Sequence, residues 1–324
     1  MSRLEQIKEP ISTEFEVFKQ KFDMSLQSTN PLLSEVINFI KQRRGKMMRP
    51  MLTLLMAKLC GEIGNSTYHA AISLELLHTA SLVHDDVVDE SDKRRGQSSV
   101  NAIYDNKVSV LVGDYMLSTS LANAAMTGDI RMVDLISRLG QMLSEGEIIQ
   151  LSNTDRSDFS EEVYFEIIRK KTAVLFATAA EAGATSAGSS DEMAENARMF
   201  GELLGIAFQI KDDIFDYYPS EELGKPTGND MREGKLTLPA LYVLNKLNDE
   251  SMKNLALKIR ALEATSEEIS LFIDYVKNNG GIKYATEVMV EYRNKALRLI
   301  PQSASQALKE ALTSYIDYVI ERKK

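Results

Sequence analysis

Cysteine is nearly absent. Cys60 is the only one in 324 residues, so the chain cannot carry an internal disulfide framework, a usage that fits a reducing compartment. Proline and glycine are scarce, at 7 and 17, and no stretch is long or simple enough to read as a linker between domains. No apolar run approaches the ~18–20 residues needed to span a bilayer. Residues 1–10 have no apolar core of the kind a secretory signal needs. An excess of positive charge is also missing: Lys and Arg total 38 against 47 Asp and Glu, a net charge of −9. That balance disfavours nucleic acid as a partner, so any polyanion must be held by local basic residues. These absences lead to the expectation of a soluble, cytoplasmic chain folded as one domain over 1–324.

What is present is apolar residues at helical spacing. Leu32, Leu33, Val36, Ile37 and Ile40 form a stripe behind Asn30-Pro31, where proline suits a first helical turn. Further helices are predicted at about 2–27, 46–60, 66–90, 107–126, 130–152, 160–185, 191–217, 235–247, 251–262, 266–279, 281–299 and 304–322. No convincing alternation of strand type occurs. The fold class is therefore all-α, a single large helical bundle. The segments 111–125 and 173–187 are apolar over more than one face and rich in small residues. Helices of this type are buried among others, and the small side chains either let neighbours approach or leave a cavity.

Two acidic clusters carry the chemistry. Leu82-Val-His-Asp-Asp-Val-Val-Asp89 ends an apolar helix, and Asp85 and Asp89, four apart, share one helix face with Asp86 beside them. Gln209-Ile-Lys-Asp-Asp-Ile-Phe-Asp216 repeats the spacing with Asp212, Asp213 and Asp216, and Gln209 lies on the face of Asp212 and Asp216. Like charges so placed repel until a divalent cation reverses the sign, and carboxylates with water and phosphate oxygens suit magnesium. One such cluster is a weak signal, because acidic helix ends are usually just solvated. Two clusters, each preceded by apolar helix, point to metal ions clamped between facing helices, with a diphosphate as the natural substrate.

Basic residues occur where a diphosphate needs them: Lys46 and Arg49, Arg94 and Arg95, Lys171, and Lys225 and Lys235 in the loop after the second cluster. Each alone reads as surface charge. Lys171 differs because Ile167, Ile168, Ala173, Leu175 and Phe176 surround it in sequence, although Arg169 and Lys170 favour a solvated face. His78 lies two turns before Asp85 on nearly its face, where it is either a satisfied core group or a donor to a diphosphate oxygen.

In this order the blocks resemble the trans-isoprenyl diphosphate synthases, or polyprenyl synthetases, from Gly45 to at least Pro239. The blocks are Gly45–Pro50, His78–Asp89, Arg94-Arg-Gly96, Gly113-Asp-Tyr115, Gly146-Glu147 with Gln150, Lys171-Thr-Ala173, Phe208–Asp216 and Gly224–Pro239. The resemblance implies an isoprenoid synthase bundle around a central cavity. It implies that Asp85, Asp89 and Asp212, supported by Asp86, Asp213 and Asp216, hold three magnesium ions on an allylic diphosphate. Arg94, Lys171, Lys225 and Lys235 would contact that diphosphate, and Lys46, Arg49, His78 and Arg95 would hold isopentenyl diphosphate. Thr172 and Gln209 would turn oxygens toward the developing carbocation. One departure is Gln97-Ser98-Ser99, where the family often has Pro-Thr.

The implied reaction is head-to-tail chain elongation by a prenyltransferase, with a homodimer as the expected assembly. Ser81 lies on the Asp85 face, and Ala80 and Leu77 lie further down the same helix. Family members with bulky aromatics at the first two positions make short products, whereas Ala80 and Ser81 are small. A long all-trans product follows as the expectation, octaprenyl within a hexaprenyl-to-decaprenyl range, suited to a quinone side chain and to transient membrane contact at release. Leu77, Leu74 and Met142 are candidates for the floor of the tunnel. A short-chain farnesyl or geranylgeranyl synthase, a class I terpene cyclase, a silent subunit of a heteromeric synthase and a structural helical protein are the rivals. The complete second acidic cluster and the second basic set favour elongation over the cyclase, the intact acidic motifs argue against the silent subunit, and incubation with allylic and isopentenyl diphosphates decides the structural reading.

Overall fold

The computed structural model describes residues 2–43, 45–94, 96–153, 158–219 and 227–321. The described chain is helical almost throughout. In order the elements are α1 (Arg3–Lys8), α2 (Ser12–Ser25), α3 (Pro31–Gln42), α4 (Met48–Cys60), α5 (Asn65–Val88), β1 (Lys93–Arg94), β2 (Gln97–Ser98), α6 (Val100–Tyr104), α7 (Asn106–Met126) and α8 (Ile130–Asn153). They continue with α9 (Glu161–Ile168), α10 (Val174–Ser186), α11 (Asp191–Asp216), α12 (Asn229–Arg232), α13 (Leu238–Leu247), α14 (Glu250–Arg260), α15 (Ser266–Asn278), α16 (Gly281–Arg298) and α17 (Gln306–Glu321).

The structure departs from the predicted spans at several places. Pro10 has no N–H to donate, and the expected first helix is broken there by a 3₁₀ turn over Glu9–Ile11. The helix expected over 160–185 contains a π-helical turn at Arg169–Ala173. A tight antiparallel hairpin, with Lys93 opposite Ser98 and Arg94 opposite Gln97, occupies the break after α5. Gly96 takes φ +77° at its turn, a conformation that costs glycine nothing.

Packing divides the chain into two compact units. The first comprises Met1–Gly140, Leu175–Gly201 and Leu299–Tyr315. Its spine is α5 laid along α7 and against α4, with Leu52, Leu54, Leu55, Leu74 and Leu76 buried in its core. Small residues let backbones close. Ser73 donates to the carbonyl of Ser120 at 2.8 Å, and Ser120 returns the bond at 2.7 Å. A Cβ on Gly183 would stand 2.3 Å from the Thr53 carbonyl oxygen. The second unit comprises Gln141–Val174, Glu202–Arg298 and Ile316–Lys324. There α13 packs on α16, and α14 on α15, around Ile210, Val243, Ile259, Phe272 and Val276.

One expectation is corrected. Helix α7 is not buried all round: Leu111 is 67% exposed and Met126 64%, with Val110, Leu121 and Ala125 also exposed. Leu111, Asp114, Ser118, Leu121 and Ala125 follow the three–four spacing of a helical seam. The inward face of α7 is consumed by α5, and among the described residues nothing covers the exposed apolar side chains of its outer face.

Candidate active site

In the first unit, the acidic motif occupies the last turn of α5. Asp85 is half-buried and Asp89, at the C-cap, is exposed. Asp86 points the other way: it is 4% exposed, and its carboxylate accepts from Arg94 Nε at 2.7 Å. Its main-chain carbonyl accepts from the Asn101 side chain at 3.2 Å. Burial pushes the Asp86 carboxyl up, Arg94 opposes that shift, and the charge of Asp89 adds to it. The last turn of α5 contains no basic residue. Asp85 and Asp89 thus stand where the helix dipole is already negative, an arrangement that favours a bound cation.

Further back on α5, His78 is buried, Ala80 and Leu77 are buried, and Ser81 is half-buried with its hydroxyl spent on the His78 carbonyl at 2.9 Å. A Cβ added to Gly140 would meet Leu77 Cδ1 at 3.8 Å, so α8 reaches α5 beside Leu77. Leu74 is also buried, and Met142 is half-buried. The sequence singled out no role for His84. Its ring fills the space over Gly113, where a Cβ would stand 2.0 Å from Nε2, and Nε2 lies 3.1 Å from the Val110 carbonyl.

The basic residues ahead of α4 flank a strained backbone. Met47 holds φ +52° at the N-cap, a left-handed conformation that non-glycine residues seldom adopt and that often marks functional sites. Lys46 is exposed. Arg49, in the first turn, lies over the Phe176 ring at 5.3 Å. Fully buried Tyr315 donates to the Met48 carbonyl at 2.8 Å and ties α17 to the same turn.

In the second unit, the second acidic motif forms the last turn of α11, again without a basic residue in that turn. Asp212 is half-buried. Asp213 is 3% exposed and accepts from Tyr164 Oη at 2.5 Å and from Gln209 Nε2 at 2.8 Å. Burial pushes its carboxyl up to about 7, with the two donors opposing the shift. Asp216 accepts from the backbone N–H groups of Asn229 and Asp230, both at 3.0 Å, and so caps α12. The Asp230 carboxyl is driven well up by burial and by Asp213 and Asp216.

The π turn presents the cationic side of this unit. Lys171 Nζ lies 2.5 Å from a Glu147 oxygen and donates to Gln150 at 2.9 Å. Thr172 donates to Gln209 Oε1 at 2.7 Å. A Cβ on Gly146 would come 2.8 Å from Lys170 Cβ and 2.9 Å from Lys171 Cγ, so glycine is what lets α8 approach the turn. A π turn inside α-helix is rare and frequently marks a functional position. Lys235 pairs with Glu233 at 2.6 Å.

Arg95 and Lys225 lie outside the described residues. The spacing argument missed Tyr164, Asp230 and Asn101. Tyr164 stands eight residues before Thr172, two helical turns, which is the one signal the sequence offered. Among the described residues, no three His, Cys, Asp or Glu side chains gather as a ready cation cage.

Comparison with known proteins gives a consistent result. The polyprenyl synthetase family matches residues 30–276. The octaprenyl diphosphate synthase of Escherichia coli K12 is 33% identical over 298 residues, covering 92% of each chain. A crystal structure of geranylgeranyl pyrophosphate synthase from Bacteroides thetaiotaomicron is 50% identical with a TM-score of 0.87, covering 99% of this chain and 100% of that one. A polyprenyl synthase from Caulobacter crescentus, complexed with calcium and isoprenyl diphosphate, is 30% identical with a TM-score of 0.91, covering 99% and 98%.

Proposed function

The chain belongs to the polyprenyl synthetase family and is a prenyltransferase, and from that premise we propose that it joins isopentenyl diphosphate to an allylic diphosphate, repeatedly and in trans, with magnesium as cofactor. The observation that carries this reading is the pair of helix C-termini loaded with carboxylates and free of basic residues in their last turns. Asp85, Asp89 and Asp212 are the groups we assign to the magnesium ions, three by family analogy. Asp86, Asp213 and Asp216 support them by holding Arg94, Gln209 and the start of α12. Bound magnesium supplies charge neutralisation of the leaving diphosphate.

The protein's own groups do the rest. Arg94, Lys171, Lys225 and Lys235 are assigned to the allylic diphosphate, and Lys46, Arg49, His78 and Arg95 to isopentenyl diphosphate, as guanidinium forks and ammonium point charges suit phosphate oxygens. The oxygens of Thr172 and Gln209 face the cation that forms as the allylic carbon–oxygen bond breaks. The double bond of isopentenyl diphosphate attacks that cation, and the departing diphosphate takes the proton. Residues 1–324 are taken to work as one polyprenyl synthetase domain, since the family match runs through segments of both compact units.

For product length, the support is the small size of Ala80 and Ser81, which favours a long chain centred on octaprenyl. The 50% identity to a geranylgeranyl pyrophosphate synthase supports the shorter product as a second reading. Incubation with magnesium, farnesyl diphosphate and isopentenyl diphosphate, followed by mass spectrometry, tests both. Octaprenyl diphosphate is the expected product. Accumulation of geranylgeranyl diphosphate supports the second reading, and no elongation at all removes the function.

The separation of the two diphosphates gives a smaller test. Arg49→Ala is expected to raise KM for isopentenyl diphosphate by about tenfold, the value of one charge-assisted phosphate contact, with a much smaller change for the allylic substrate. Equal changes would refute the assignment. Dimerisation is supported by the exposed apolar seam of α7. Light scattering is expected to give a dimer for the native chain and a monomer for Leu111→Glu; a native monomer rules the homodimer out.

A further inference from the structure

Tyr164 belongs to none of the sequence motifs, and its hydroxyl is the end of a hydrogen-bond chain whose direction is fixed by chemistry. The phenol is buried in α9, and its hydroxyl donates. Its acceptor is Asp213 Oδ2, at 2.5 Å. Held by Tyr164 through Oδ2, the carboxyl group turns Oδ1 to Gln209. The Gln209 side chain turns its NH₂ to Oδ1 and donates at 2.8 Å. The planar amide then places Oε1 on its other side, 2.7 Å from Thr172 Oγ1. An amide oxygen has no proton to give, so the Thr172 hydroxyl must donate. Its single proton is used, and only lone pairs remain for whatever lies on its open side.

We propose that Tyr164 is a positioning residue which, through Asp213 and Gln209, sets the polarity of the Thr172 hydroxyl so that it offers lone pairs rather than a proton to the developing allylic cation. The proposal rests on the reading above, in which Thr172 faces that cation. A hydroxyl free to rotate would spend part of its time with its proton toward the positive carbon, which repels it. A hydroxyl locked by a donor chain pays no reorientation when the charge appears, the condition for efficient electrostatic stabilisation. Each bond also polarises the next, so the buried carboxylate strengthens the oxygen dipoles of Gln209 and Thr172. This gives the inward-facing aspartate of the second motif a role distinct from that of Asp212.

Tyr164 and Thr172 are linked through Asp213 and Gln209, which makes a double-mutant cycle decisive. Steady-state kinetics with magnesium and both diphosphates would be measured for Tyr164→Phe, Thr172→Val and the double variant. Tyr164→Phe is expected to lower kcat about tenfold, the scale of one lost hydrogen bond to a charged group, with KM for both substrates within about twofold of native. The double variant is expected to be no slower than Thr172→Val alone. Losses that multiply, or a loss expressed in KM, overturn the proposal and leave the role of Thr172 standing. A Thr172→Val enzyme with native kcat overturns both. Should Tyr164→Phe unfold, Asp213→Asn serves instead: its side-chain amide lets Gln209 flip, and the same absence of further loss on the Thr172→Val background is expected.

Discussion

Asp85→Ala and Asp212→Ala are each expected to lower turnover by about a hundredfold to a thousandfold, the range seen when one preorganised group that stabilises transition-state charge is removed. The same substitutions should not weaken the fold. Each removes a negative charge from the last turn of a helix, where the dipole makes it unfavourable by about 0.3–1 kcal/mol, and alanine is the best helix former. Without magnesium, the variants should therefore melt at or slightly above the native temperature. With magnesium and inorganic diphosphate, the native protein should gain thermal stability by binding, and each variant should gain much less. A variant with most of its activity at saturating magnesium, or with an undiminished magnesium-dependent shift, would show that its carboxylate does not hold the metal.

The second large effect concerns product length. Ser81 lies four residues before Asp85, about 6 Å along the helix axis, and is half-buried with its hydroxyl folded onto its own helix. Phenylalanine there sacrifices little and extends into whatever space Ser81 borders. Ser81→Phe is expected to shorten the product by several isoprene units while keeping most of kcat for the first condensation. Ala80 is fully buried, so Ala80→Phe must push packed neighbours aside, at about 1–3 kcal/mol of stability. It should shorten the product too, but in a protein with a lower melting temperature. Mass spectrometry of the products against time reads both. An unchanged product from Ser81→Phe would remove this face of α5 from the path of the growing chain. Leu77, which a Cβ on Gly140 would meet at 3.8 Å, marks a deeper position, where enlargement should shorten the product less.

The helical periodicity placed nearly every long helix within a few residues, because repeats at 3.6 residues and the stop signals are local properties of the chain. The acidic motifs were legible for the same reason: four-residue spacing puts two carboxylates on one face whatever the rest of the protein does. The blocks around Lys46, Lys171 and Gln209 supplied the family. Spacing set Asp85 and Asp89 on one face, and the resemblance gave Asp86, Asp213 and Asp216 a supporting role, but neither said what each would hold. Adjacent helical residues diverge by about 100°, so Asp85 and Asp86, or Asp212 and Asp213, cannot point the same way. Which of them turns inward depends on what packs against each side. Asp213 shares its face with the buried Ile210 and Tyr217, a pattern present in the sequence, but its partner Tyr164 is 49 residues away.

Tertiary packing decided other features as well. The π turn at Arg169–Ala173 arises within a segment whose local preference is ordinary α-helix, where α8 approaches at Gly146. The exposed seam of α7 could not be inferred from its composition. A helix that is apolar all round reads as buried, and only the finite width of α5 shows that one face is left over. Local order determined the helices, their caps and the chemistry of each motif, since these depend on residues within one or two turns. The direction of each side chain, the bonds of the inward aspartates and the role of Tyr164 required the fold, because they depend on which distant helix occupies the neighbouring space.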